Sequence, residues 1–156
     1  MELKNIRNFS EIRRDDWDAL LVKSETDFPF LKFGYQRSWW EFKGGGEWPL
    51  DSDLHLIAGY QDGSLAAIAP LFSPSNTDEK KLLLLGSIEI SDYLDFICPH
   101  HDKKEFLGLL LNFIHSEMNE IRQIDLVNIP DKSTTIELLK VISGEYGWVS
   151  DIQPAY

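Results

Sequence analysis

Helical spacing of apolar residues predicts two helices in the first third of the chain. Trp17, Leu20 and Leu21 fall at i, i+3 and i+4, which places them on one side of a helix. Ser10 precedes this stripe and is expected to cap the helix. A second helix is predicted over Tyr35–Phe42, and the glycine run that follows, residues 44–46, is expected to end it.

Alternating and continuously apolar runs predict a group of strands that begins near residue 53. Asp53–Gln61 alternates, and Asp62-Gly63 is a strong hairpin signal before the returning strand Ser64–Phe72. Further strands are expected over Leu3–Phe9, Lys80–Leu85 and Tyr93–Cys98. Most of the sheet is therefore expected to be antiparallel.

The last third of the chain predicts two helix–strand units. The longest helix is expected over Lys103–Ile121, with Asp102 as its N-cap, followed by a buried strand over Gln123–Asn128. Ser133 is expected to cap another helix before a final strand over Trp148–Ile152. The predicted order is β-α-α-β-β-β-β-α-β-α-β, an α+β arrangement in a single domain over residues 1–156.

Composition narrows the class of function. The chain has 156 residues, 26 acidic against 15 basic side chains, a net charge of −11 and a single cysteine, Cys98. This charge repels nucleic acids and anionic lipid surfaces, so neither is an expected partner. No signal peptide or run of apolar residues long enough for membrane insertion is recognised, and no intrachain disulfide can form. These features predict a cytoplasmic protein.

Several segments, in this order and spacing, resemble the N-terminal half of the FemAB/BioF2-like GNAT family, which includes acetyltransferases of cellulose and capsule biosynthesis. The match spans about Phe30 to Pro130. It rests on an aromatic helix, a hairpin that ends in Pro-Leu, a Ser-Asp-Tyr-x-Asp segment after a leucine-rich strand, and a later strand end: Gln36–Trp40, Ala58–Leu71, Leu84–Phe96 and Val127–Pro130.

The resemblance implies a GNAT-like, acyl-CoA N-acyltransferase fold with a mixed, mostly antiparallel sheet flanked by helices. It implies transfer of an acyl group from acyl-CoA to an amine, on a small molecule or a polysaccharide precursor. Family members usually contain two such halves, so a second half or a homodimer partner is expected, and the chain is interpreted as a possible fragment. The acceptor contacts it implies are Trp39, Asp92, Tyr93 and Asp95.

The segment where a GNAT enzyme holds the coenzyme pyrophosphate departs from that pattern. Such enzymes place a glycine-rich loop at a helix N-terminus, where backbone N–H groups bind phosphate. Here the segment Pro99–Gly108 keeps one glycine, and Asp102 and Glu105 add negative charge. The isolated chain is therefore not expected to bind acyl-CoA, and the alternative is a non-catalytic interaction or dimerisation domain.

Two further groups of residues contain side chains of a functional type. Cys98, His100, His101 and Asp102 contain metal-ligating residue types, but their spacing matches no common zinc pattern, and no metal is expected. Trp17, Trp39, Trp40 and Trp48 could form a platform on which a sugar stacks. Aromatic residues at helical spacing lie in the core more often, and that is the preferred interpretation.

Overall fold

The computed structural model describes residues 1–154, which form five strands and four α-helices. Three short 3-10 helices, over Phe9–Glu11, Pro29–Leu31 and Ser143–Tyr146, lie between or after the main elements. In chain order the main elements are β1 Glu2–Ile6, α1 Arg14–Lys23, α2 Phe33–Gly46, β2 Asp53–Gln61, β3 Ser64–Ser73, β4 Lys81–Leu84, α3 His100–Glu117, β5 Gln123–Asp125 and α4 Thr134–Ile142.

The five strands form one mixed sheet in the order β1-β2-β3-β4-β5. Pairing is antiparallel from β1 to β4, while β5 lies parallel to β4 after the crossover through α3. Most residues of β2 and β3 are buried, including consecutive ones, which requires cover on both faces of the sheet. The expected α+β class, with a mixed and mostly antiparallel sheet flanked by helices, is confirmed.

The hairpin between β2 and β3 forms as its sequence predicts. Asp62 and Gly63 both have positive φ, 50° and 77°, as a two-residue turn of type I′ requires. Gln61 pairs with Ser64 directly beside the turn. This turn is determined locally, by a residue pair that adopts left-handed geometry more readily than most others.

Two predicted strands do not form, so the observed order is β-α-α-β-β-β-α-β-α. Tyr93–Cys98 makes only an isolated bridge, Ile68 to Ile97, because the backbone at Leu94 bonds to Asn128 instead of to the sheet. Residues 148–152 are irregular: the Trp148 indole Nε1 donates to Leu111 O of α3 at 3.2 Å, which holds the chain against a helix.

The helix boundaries also differ in detail from the expectations. Asn8, not Ser10, caps the first turn, since its side chain accepts from Ser10 N, and α1 begins only at Arg14. In α2 the chain leaves helical geometry at Lys43, where φ is 48°, before the glycine run. The prediction for α4 is confirmed, because the Ser133 hydroxyl accepts from Thr135 N.

The core places aromatic residues of α1 and α2 against the sheet. Trp17 is fully buried and lies edge-on to Phe33, while Trp39 and Trp48 lie 5.2 and 5.3 Å from the ring of Phe72 in β3. Aromatic pairs at these distances add about 1 kcal/mol each beyond area burial.

Among residues 1–154, none of the helices has the length and apolar character needed to cross a bilayer.

Candidate functional site

The candidate site lies where β4 and β5 end. These two strands are parallel, so the segments that follow them, residues 85–99 and 126–133, leave the sheet on the same side. Sites in sheets with parallel strands commonly form beyond the carboxyl ends of such strands. The two segments are joined here: Leu94 N donates to Asn128 O at 3.0 Å, and Asn128 Nδ2 donates to Ser91 O at 2.8 Å.

Side chains of α2 and of Trp48, just after it, fix the first of these segments from the other side. The Tyr35 hydroxyl donates to Ile90 O at 2.9 Å and lies 2.7 Å from Ser91 Oγ. Because a phenol has one O–H donor, the Ser91 hydroxyl is the donor of this second bond and the Tyr35 oxygen accepts it. Trp48 Nε1 donates to Ser87 O at 2.7 Å, and Gln36 Nε2 donates to Leu85 O at 3.1 Å. The segment is therefore held in one conformation despite having no regular secondary structure.

Asp92 and Tyr93 are both exposed on this segment. Tyr93 is 52% exposed and its ring lies 5.4 Å from Phe28, while Asp92 is open to solvent. A carboxylate and a phenol that adjoin in this way can bind an ammonium group and donate a proton, respectively. The sequence predicted both as acceptor contacts, and the structure leaves both reachable.

Asp95 is completely buried instead of facing a pocket. Its carboxylate accepts from Phe96 N at 2.8 Å and from the Thr135 hydroxyl at 2.6 Å, and it also binds Ser133 Oγ and Lys103 Nζ, at 2.5 and 3.3 Å. The strand expected over Tyr93–Cys98 would have placed Tyr93 and Asp95 on one face; because the segment is not a strand, Tyr93 is exposed and Asp95 lies in the core. Asp95 acts here by positioning the chain beneath Asp92 and Tyr93.

Lys103 completes this buried polar cluster. It is itself fully buried, and its Nζ donates to Glu25 Oε2 at 2.8 Å as well as to Asp95. Partial burial acts to raise the pKa of the Glu25 carboxyl, but the hydrogen bonds from Lys103 and Thr134 and the Lys103 charge outweigh it. The net effect is a lowered pKa for Glu25. The Glu25 carboxylate is thus kept ionised beside Lys103.

Sequence reasoning missed most of the cluster. Glu25 and Thr135 carried no signal, and Lys103 was interpreted only as the start of a helix. Ser133 was recognised as a cap, but its second role, as a partner of Asp95, depends on a contact across 38 residues. Asn128 was noted at a strand end; its φ of 61° and its two side-chain bonds to residues 88 and 91 show why that end matters.

Trp39, the fourth predicted acceptor contact, is a core residue. It is 4% exposed, packs on Phe72, and its indole Nε1 has no hydrogen-bond partner among residues 1–154. Trp17 is likewise buried, with Nε1 bonded to Leu31 O. The four tryptophans therefore do not form one exposed stacking platform, and the core interpretation is confirmed for these two.

The start of α3 differs from the expected capped helix. The helix begins at His100, three residues earlier than predicted, and Asp102 lies within its first turn, with its carboxylate 3.2 Å from His101 Nε2. Gly108 has a packing role: a Cβ there would lie 2.7 Å from the Tyr146 hydroxyl. The glycine retained in this segment is explained by close helix packing, without reference to a coenzyme.

The possible metal ligands near α3 are separated in space and exposure. Cys98 is buried, and burial raises the pKa of its thiol to about 12. His100 and His101 are exposed and lie beside Glu25 and Asp102. Within the described residues, His, Cys, Asp and Glu do not come together in a group that could hold a metal ion.

Comparison with known proteins gives one structural likeness. No family model matches the chain, and a search of curated proteins found no match. The chain is similar over its whole length to the crystal structure of glucosamine-6-phosphate N-acetyltransferase from Arabidopsis thaliana, with a TM-score of 0.46, 18% identity, and 98% of that chain covered. Likeness of this degree transfers neither a substrate nor residue roles.

Proposed function

We propose that this chain is the acceptor-binding half of a GNAT-like N-acyltransferase that moves an acyl group from acyl-CoA to an amine. The observation that supports it is the display of Asp92 and Tyr93 beyond the carboxyl ends of β4 and β5, on a segment fixed from both sides. The sequence resemblance runs through the same segment. The proposed compartment is the cytoplasm.

The exposed pair suits the chemistry of amide formation. The acceptor amine would arrive as an ammonium ion, which the Asp92 carboxylate attracts, and it would pass a proton to that carboxylate or to water. The free amine attacks the thioester carbonyl, so that a C–N bond forms and the C–S bond breaks. The Tyr93 hydroxyl would then protonate the leaving thiolate, and the proton that the new amide nitrogen loses would return through water to the tyrosinate. Asp95 and Trp39 act only by holding this segment and α2 in place.

Binding of the coenzyme is assigned to a second GNAT-like half outside these 156 residues. The first turn of α3 carries Asp102, whose charge opposes a pyrophosphate at this helix end. The net charge of −11 acts in the same direction. Both charges oppose binding of the coenzyme by this chain, and for that reason we assign the coenzyme to the second half.

The proposal is tested by acetyl transfer to a panel of aminosugars, with thiol release as the readout. We expect turnover from the full gene product, or from this chain together with its partner half, and none from the 156-residue chain alone. Asp92→Asn and Tyr93→Phe should each lower kcat/KM by about tenfold to a hundredfold, because each removes a proton-transfer or binding group. Glu89→Gln is the matched control, an exposed carboxylate on the same segment.

Two results would contradict this assignment. Turnover by the 156-residue chain alone would show that it binds acyl-CoA without a second half. Equal losses in Asp92→Asn and Glu89→Gln would show that the carboxylate at position 92 has no particular role.

A second candidate function is a non-catalytic dimerisation or docking domain. The observation that favours it is the exposure of three apolar side chains on one segment: Ile88, Ile90 and Tyr93 are 46%, 54% and 52% exposed. If this function is correct, sedimentation should show a concentration-dependent dimer that Ile90→Glu dissociates, with no thioester turnover. A monomer at all concentrations tested would dismiss the dimer.

A further inference from the structure

We propose that a second site, the arginine pocket, binds a small molecule that carries a carboxylate or phosphate on an apolar ring. The pocket has a volume of about 410 Å³, within the usual range for small-molecule sites. Its main walls come from residues that follow β1, from α2 and from the start of β2: Arg7, Phe9, Phe33, Arg37, Trp40 and Leu54.

The arginine pocket is distinct from the candidate site. It adjoins β1 and β2, whereas Asp92 and Tyr93 lie beyond β4 and β5, and β1 and β5 are opposite edges of the sheet. None of the residues that line the pocket belongs to the segments 85–99 or 126–133. The inference therefore goes beyond the proposed acyltransferase function and can fail independently of it.

Local structure brings the two arginines to the same opening. Arg7 directly follows β1, where Ile6 pairs with Leu56, so it lies beside the start of β2. In α2, Phe33, Arg37 and Trp40 are four and three residues apart, a spacing that places them on one side of the helix. The helix thus supplies a charged and an aromatic side chain to one pocket.

The floor of the arginine pocket is formed by aromatic and aliphatic side chains. Phe9 and Phe33 are buried and meet edge to face, with centroids 5.4 Å apart, and Leu54 is buried in β2. Trp40 is half-buried, with Lys43 Nζ 3.5 Å from the centroid of its ring. Because Phe9, Phe33 and Leu54 are already buried, the half-buried ring of Trp40 is the main apolar surface against which a ligand ring can pack and exclude water.

The arginines have donors to spare for an anion. Arg37 uses its Nε for Glu41 Oε1, at 2.8 Å, and Arg7 uses one terminal nitrogen for Asp53 Oδ1, at 3.1 Å. A guanidinium has five N–H donors in a planar fork that matches a carboxylate or a phosphate, so each side chain keeps donors beyond its present bond. Two such groups beside one apolar floor favour an anion with a hydrophobic body.

Two features of the chain oppose anion binding, and they determine the expected affinity and its dependence on salt. Glu41 and Asp53 already neutralise the arginines in part, and the net charge of −11 repels anions at long range. Both arginine side chains are more than half exposed, so salt screens their attraction. Affinity should therefore be modest and should weaken as salt is raised.

The proposal is tested by titrating the 156-residue chain with benzoate and phenyl phosphate, followed by amide and arginine Nε resonances. We expect saturable shifts confined to the residues of the arginine pocket. Benzamide, acetate and inorganic phosphate should each bind at least tenfold more weakly, since each lacks either the charge or the ring. The ratio of benzoate to phenyl phosphate affinity tells which anion the pocket prefers.

Substitutions then assign the binding to the arginines. Arg37→Gln and Arg7→Gln should each raise Kd about tenfold, and Arg13→Gln, which alters an exposed arginine outside the pocket, should leave it unchanged. All three variants change exposed side chains, and circular dichroism checks that they fold. Absence of saturable binding, equal binding of benzamide and benzoate, equal binding of phenyl phosphate and inorganic phosphate, or equal Kd in Arg37→Gln and Arg13→Gln would each overturn the proposal.

Discussion

Asp95→Ala should destabilise the protein by about 3–5 kcal/mol, a large part of the 5–15 kcal/mol typical of a domain. The change leaves the buried Lys103 ammonium with one carboxylate fewer and removes the acceptor for Phe96 N and the Thr135 hydroxyl. Breaking one partner of a buried ion pair is costly because the other charge stays out of water. Urea unfolding followed by tryptophan fluorescence measures the loss.

The matched control is Asp92→Ala, three residues away and exposed, which should change stability by less than about 0.5 kcal/mol. Lys103→Met and the double variant Asp95→Ala/Lys103→Met complete a cycle, in which the double loss should be smaller than the sum. If Asp95→Ala cost no more than Asp92→Ala, the buried cluster would not be holding the segment 85–99.

The second large effect is a loss of stability between pH 6.5 and pH 5 that depends on His55. This side chain is buried in β2 and accepts a bond from Asn5 Nδ2 at Nδ1. Burial, with a smaller contribution from the Arg7 charge, lowers the pKa of His55 from 6.5 to about 4, against the opposing charges of Asp53 and Glu120. Between pH 6.5 and about 4 the His55 imidazole therefore stays neutral in the folded state, whereas in the unfolded chain it binds a proton.

The direction in which stability changes with pH follows from the difference in proton binding between the folded and unfolded states. Between pH 6.5 and about 4 the unfolded chain binds one more proton at this position than the folded chain, so stability falls as the pH falls. The full loss across that window is about 3 kcal/mol, at 1.36 kcal/mol for each unit of pKa. Glu25, whose pKa is also lowered, adds its own loss only below its usual value of 4.5.

Urea midpoints at pH 7, 6, 5.5 and 5 test this expectation. His55→Gln keeps an acceptor for Asn5 but does not titrate, so its stability should be nearly constant across this range. His115→Gln, which replaces an exposed histidine on α3, should keep the slope of the natural chain. A natural chain whose stability is flat from pH 7 to pH 5 would show that His55 is not protected from protonation.

Local signals explain which parts of the fold could be predicted. The hairpin needed only Asp62-Gly63 and the alternation beside it, and the cap at Ser133 needed only a hydroxyl before an apolar stripe. The strand expected over Tyr93–Cys98 depended on pairing partners that the pattern does not specify. Leu94 bonds to a residue 34 positions later, and that contact decided the conformation.

In the candidate site, too, local sequence predicted some features and long-range contacts determined the others. Asp92 and Tyr93 could be chosen from a short motif, but whether Asp95 faces solvent or core was settled by Lys103, Ser133 and Thr135. A buried lysine in the first turn of a helix is uncommon, so the sequence favoured an exposed one. The arginine pocket had no linear signal, since Arg7 and Arg37, 30 residues apart in the sequence, line one pocket only in the folded chain.

The buried cluster also has a consequence for synthesis of the chain on the ribosome. Glu25 receives hydrogen bonds from Lys103 and Thr134, across 78 and 109 residues. Until residue 135 has left the exit tunnel, a nascent chain contains Lys103 and Asp95 without the hydroxyl groups of α4 that complete their surroundings. Helices α1 and α2 and the β2–β3 hairpin can form early from nearer contacts, but the segment that presents Asp92 and Tyr93 is expected to settle only after residue 135 has been released.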